Sequence, residues 1–105
     1  MSEQMPESFD PIVARQDELA QYDAAIATFK VVQESLPSEW PAHLEQFKSR
    51  TDRHAAIAEI EDLDDVALVS DLWAHDDAKA AIRSNMVERA KAQAILAAMQ
   101  AQQGQ

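Results

Sequence analysis

Three histidines and one run of carboxylates are the residues of this chain with the chemistry to act on something else. His43, His54 and His75 could exchange a proton near neutral pH, yet none stands in a recognised catalytic pattern. His75 has Asp71 one helical turn before it and Asp76 beside it, a spacing at which a carboxylate and an imidazole can share a divalent cation. Two ligands are too few for a site, and the plainer reading is a solvated ion pair that favours protonated His. His43 sits at helical spacing from Glu39 and Phe47 and reads as surface. His54 falls on the buried side if the helix that carries it is continuous, and then reads as a core or boundary residue.

The carboxylates are the stronger signal. Glu59, Glu61, Asp62, Asp64, Asp65, Asp71, Asp76 and Asp77 lie between Arg53 and Lys79, an interval without Lys or Arg, and supply -8 of the formal net charge of -10. Such a segment can be a solvated face that aids solubility, a docking face for a partner with a basic surface, or an imitation of nucleic-acid phosphates that occupies another protein's binding groove. The Asp62 to Asp65 cluster lacks the alternating oxygens, central Gly and terminal Glu of a calcium loop. Direct binding of nucleic acid is disfavoured, because the chain is repelled overall. The bases of its last helix, Lys79, Arg83, Arg89 and Lys91, have no interleaved aromatics.

Other chemistries are closed by composition. The one Gly is Gly104, so the tight loops that cradle phosphates or present a nucleophile have no material. There is no Cys, which removes disulfides, thiolate zinc and a Cys nucleophile together. No catalytic residue, cofactor or metal ligand is expected.

The elements that must position these groups follow from the same absence of Gly, which disfavours tight hairpins, and from apolar spacing. Asp10-Pro11 starts a helix in which Ile12, Leu19 and Ile26 repeat every seven residues, with Tyr22 and Phe29 each three residues after a member of the row. That stripe, interrupted by Arg15 and Gln33, is a candidate self-association seam as well as a packing face. Leu36-Pro37 ends it, Ser38 offers the next cap, and the row Trp40, Leu44, Phe47 begins a second helix that either runs on to Glu61 or breaks at Thr51. Asp62 to Asp65 form a turn leading into Val66, Val69, Leu72 and Trp73. Asp76-Asp77 then start the last helix, where nine of the residues from Ala78 to Ala101 are Ala. Trp40 and Trp73 are in register with the apolar rows of their helices and are expected in the core.

The reading is an all-α fold, a small four-helix bundle-like domain with two long outer helices and shorter central ones, over 10–36, 38–61, 64–75 and 77–101. Residues 1–9 are expected to form a flexible arm, 10–101 a single domain and 102–105 a frayed tail. The first ten residues lack the basic and apolar regions of a signal peptide, and no apolar run approaches the roughly 18 residues of a membrane span, so a cytoplasmic location is expected. The function expected is a non-catalytic protein-interaction module, an adaptor, assembly factor or regulator that engages a protein with a basic surface and forms a homodimer. The alternative is an acidic inhibitor that mimics nucleic-acid phosphates.

Overall fold

The computed structural model describes residues 9–103. Among them there is no strand, and the helices are α1 (Pro11–Glu34), a 3-10 helix (Ala42–Phe47), α2 (Arg53–Ala58) and α3 (Leu63–Gln103). The all-helical expectation holds. The arm expected over 1–9 falls outside the described residues except for Phe9, which is exposed. Of the expected tail, Gln102 and Gln103 belong to α3.

Two compact units share these elements. The hairpin unit takes in the chain up to Thr28 and from Ile82 on. Asp10 opens α1 as expected, its carboxylate accepting from the Ile12 amide at 2.9 Å. Leu19 packs on Ala92 and Leu96, with Ile12 and Tyr22 against them, and Asp23 meets Arg89 at 2.6 Å. Because 19 faces 92 to 96 while 23 faces 89, the two helical stretches of this unit run antiparallel.

The central unit spans Phe29–Ala81. Its core is Leu44, Phe47, Ala56, Val69 and Trp73, with Trp40, Ile57, Ile60 and Leu68 packed around them. Trp73 is buried as expected, Phe47 is buried with it, and Leu72 is fully buried. Trp40 is only half-buried, so its place is at the rim and not in the centre.

The second expected helix does not form as one piece. Pro37 and Pro41 bias the residues before them to extended backbone, and the chain stays irregular from Pro37 to Pro41 instead of capping at Ser38. The turn that follows is 3-10, whose three residues per turn stack Leu44 directly under Phe47. Both are buried, so the tighter helix aims two large side chains at one core. The break that follows is near Thr51, but the cap is Asp52, which accepts from the Ala55 amide at 3.0 Å. With the helix interrupted there, His54 turns out to be exposed, not buried.

The third and fourth expected helices are one. Asp76-Asp77 reads as a helix start on local chemistry, yet no Gly or Pro interrupts α3, and an interior Asp costs only about 0.7 kcal/mol relative to Ala. Each of the two also finds a partner: Asp76 lies 3.4 Å from His75, and Asp77 receives two bonds from Arg53. The buried positions Val69, Leu72, Trp73 and Ala78 pass through the Asp pair without interruption.

Candidate interaction surface

All eight carboxylates of the acidic segment belong to the central unit, and the fold sorts them into two groups. Glu59, Asp65, Asp76 and Asp77 have cationic or imidazole partners. Arg50 returns from before α2 to grip Glu59 with bonds of 3.1 and 2.7 Å, and Arg53 grips Asp77 at 2.7 and 2.9 Å while stacking 5.0 Å from the centre of the Trp73 ring. His43, from the 3-10 helix, reaches both oxygens of Asp65 at 3.3 Å. The guanidinium bonds hold the Glu59 and Asp77 carboxyls below their ordinary range, against a smaller opposing effect of burial. The same bonds raise Arg50 and Arg53 above theirs.

The other four stand apart. Glu61, Asp62, Asp64 and Asp71 are exposed, and among the described residues no basic side chain lies within ion-pair distance of them. Asp62 has a local task, accepting from the Asp64 amide at 2.8 Å to open α3, where Asp64 and Asp65 also suit the positive end of the helix. Leu63, between Asp62 and Asp64, is the most exposed large apolar residue among the described residues at 81%. A groove of about 310 Å³ is lined by Leu44, Phe47 and Ile60 together with Glu59, Glu61, Asp62 and Asp65. The arrangement offers charge and apolar contact together, and presents no nucleophile beside a base.

Each histidine has a definite setting. His43 is exposed on Asp65, His54 is exposed at the start of α2, and His75 is half-buried beside Asp76. Among the described residues no group of three or more His, Asp or Glu side chains is placed to hold a metal ion, and no helix is long and apolar enough to cross a membrane.

The seam residues of α1 are divided. Leu19 is buried within its own chain, Ile12 and Tyr22 pack on the same cluster, and Ile26 and Phe29 are half-buried. Sequence reasoning did not find the roles of Arg50 and Arg53. Their partners lie 9 and 24 residues away, and the only hint was their position just before the base-free interval. No family model, curated protein or solved structure matches the chain.

Proposed function

We propose that the chain is a non-catalytic protein-interaction module of the cytoplasm, an adaptor, assembly factor or regulator, which docks a basic partner on the acidic face of its central unit. One observation carries this reading: Glu61, Asp62, Asp64 and Asp71 are exposed with no cationic partner among the described residues, and the exposed Leu63 sits between Asp62 and Asp64. A single exposed Leu is ordinary on any protein surface. An exposed apolar side chain flanked by uncompensated carboxylates suits a partner that carries Lys or Arg around an apolar pocket. Carboxylates already gripped by Arg50 and Arg53 contribute little to such docking. The free ones supply the long-range attraction.

The alternative reading, imitation of nucleic-acid phosphates, draws support from Asp64 and Asp71, two turns apart on α3 and both exposed. Both readings are tested by affinity capture with the full chain and with a Glu61→Lys/Asp64→Lys/Asp71→Lys variant. Asp62 is spared because it caps α3. Docking predicts that the variant keeps its helical signal but loses the captured partner, and that capture by the native chain weakens steeply with salt, since exposed charge is screened over about 8 Å at physiological ionic strength. Displacement of the partner by DNA or RNA selects the inhibitor, and indifference to nucleic acid selects the adaptor. Capture unchanged in the variant and unchanged by salt removes both, leaving a solubilising face.

A further inference from the structure

We infer that the groove lined by Leu44, Phe47 and Ile60 is the seat of an arginine side chain of the docked partner, its aliphatic stem on the apolar lining and its guanidinium on Glu61 and Asp62. This rests on the docking reading above and gives the partner its chemical anchor.

Size and lining limit what the groove can hold. At about 310 Å³ it lies at the low end of the roughly 300–1,000 Å³ of ligand pockets, so it suits one long side chain better than a cofactor. Leu44 and Phe47 are already buried in the central core and Ile60 is half-buried, which leaves only a thin apolar strip for a visitor. A bulky apolar anchor would gain little there. The rest of the lining is dominated by Glu59, Glu61, Asp62 and Asp65, and among the described residues no Lys or Arg lines it.

These carboxylates are not equivalent. Arg50 holds Glu59 and His43 holds Asp65, whereas Glu61 and Asp62 have no cationic partner among the described residues. Asp62 spends one oxygen on the Asp64 amide. With Arg50 counted and His43 neutral, the charge gathered here is 1 − 4 = -3. A fitting group is therefore cationic at one end and aliphatic along its length, which describes Lys and Arg.

The chain itself shows which of the two the chemistry favours. Twice in this unit a guanidinium lies over an aromatic ring while two of its nitrogens bind one carboxylate. Arg53 is 5.0 Å from the centre of the Trp73 ring and bonds Asp77, and Arg50 is 6.0 Å from the centre of the Phe47 ring and bonds Glu59. Phe47 and Glu59 both line the groove, so one arginine of the chain already uses its edge in this way. Glu61 and Asp62 bring further acceptors to the same apolar lining. A planar, weakly hydrated guanidinium leaves water more readily than the compact ammonium of Lys, and it presents two parallel donors to a carboxylate.

The test is a titration of the full chain with N-acetylarginine methylamide, followed at the backbone amides by NMR, beside the lysine and citrulline analogues. Saturable shifts are expected at Leu44 and from Ile60 to Asp62, with an arginine affinity of about 1–10 mM, as befits so small a ligand. The lysine analogue is expected to bind at least about threefold more weakly, and the uncharged citrulline analogue not measurably. Glu61→Gln/Asp62→Asn, in which Asn still caps α3, is expected to weaken arginine binding by at least about fivefold. Asp64→Asn/Asp71→Asn changes carboxylates outside the lining and is expected to leave it within about twofold. The inference is overturned by the absence of saturable shifts at these residues, by lysine or citrulline binding as well as arginine, or by Glu61→Gln/Asp62→Asn binding like the native chain. The capture assay keeps its failure distinct from that of the docking reading. A chain that loses its partner on Glu61→Lys/Asp64→Lys/Asp71→Lys but whose groove ignores arginine keeps the docking face and loses only the anchor. Capture that survives the reversal and ignores salt removes the docking reading, whatever the groove does.

Discussion

Trp73 donates its indole N–H to the main-chain carbonyl of Phe47 at 3.1 Å, tying the N-terminal third of α3 to the end of the 3-10 helix inside the core of the central unit. Trp40, at the rim of the same core, buries its indole nitrogen without a hydrogen-bond partner. The two tryptophans have the same chemistry and opposite accounts: one repays the desolvation of its N–H, the other does not.

Trp73→Phe removes one of two bonds to the Phe47 carbonyl, which still accepts from the Arg50 amide at 3.2 Å, and is expected to cost about 0.5–1.5 kcal/mol, whereas Trp73→Ala also opens a cavity and is expected to cost about 3–5 kcal/mol. Trp40→Phe removes an unsatisfied donor, and is expected to be neutral or stabilising. Denaturant melts of the three variants decide it. A Trp40→Phe loss equal to that of Trp73→Phe would mean that the Trp40 nitrogen has a partner in solution.

Asp77 has its folded pKa depressed by the Arg53 bonds, so whatever stability the pair contributes is fully present above the unfolded Asp value of about 3.9 and disappears as pH falls through the folded value. With Asp77 59% exposed, solvent screening limits that contribution to about 1 kcal/mol or less. In Arg53→Gln the Asp77 carboxyl is expected to return to its ordinary range, as followed by NMR titration. The stability gap between native chain and variant should be present at pH 7 and narrow in acid. An Asp77 titration identical in the two proteins rules out the pair.

Asp52 is the N-cap of α2, a helix of six residues whose first turn is also held by Arg53 on Asp77 and Trp73. Asp52→Ala is expected to cost about 0.5–2 kcal/mol and to speed hydrogen exchange at the Ala55 amide, which loses its acceptor. Unchanged exchange there means that the cap is not populated.

The continuity of α3 through Asp76-Asp77 also has a sharp test at Lys79, an exposed residue. Were a helix to begin at 77, proline at 79 would fall in the first turn and be tolerated. In the interior of a continuous helix Lys79→Pro removes a bond and clashes with the preceding turn, at a cost of about 3 kcal/mol or more. Thermal melts distinguish the two.

The all-helical class was legible because residues 1–103 contain no Gly and because apolar rows such as Leu19 with Tyr22 recur at helical spacing. The Asp10 start was legible because a cap acts on amides next to it in the chain. The 3-10 helix was not, since Trp40, Leu44 and Phe47 have spacings of four and three that suit either helix type, and the choice depends on what Leu44 and Phe47 must reach. Asp76-Asp77 misled for a related reason. The cost of Asp in a helix interior is only about 0.7 kcal/mol, and partners distant in sequence or lying alongside, Arg53 and His75, offset it. The acidic segment showed itself by composition, but which carboxylates stay free depends on where Arg50, Arg53 and His43 are carried by the fold.

The corners of the central unit have a consequence for the chain before it folds. After the 3-10 helix the backbone leaves through Lys48 at φ −58°, and after α2 through Glu59 at φ −83°, both right-handed conformations open to any residue. Residues 9–103 thus make their turns without a single Gly, and three Pro within them fix further dihedrals. Each Gly avoided at a compatible position spares about 0.4–1 kcal/mol of unfolded-state entropy. Part of what holds this small protein together is therefore a restriction on its denatured ensemble, where no contact in the native structure would reveal it.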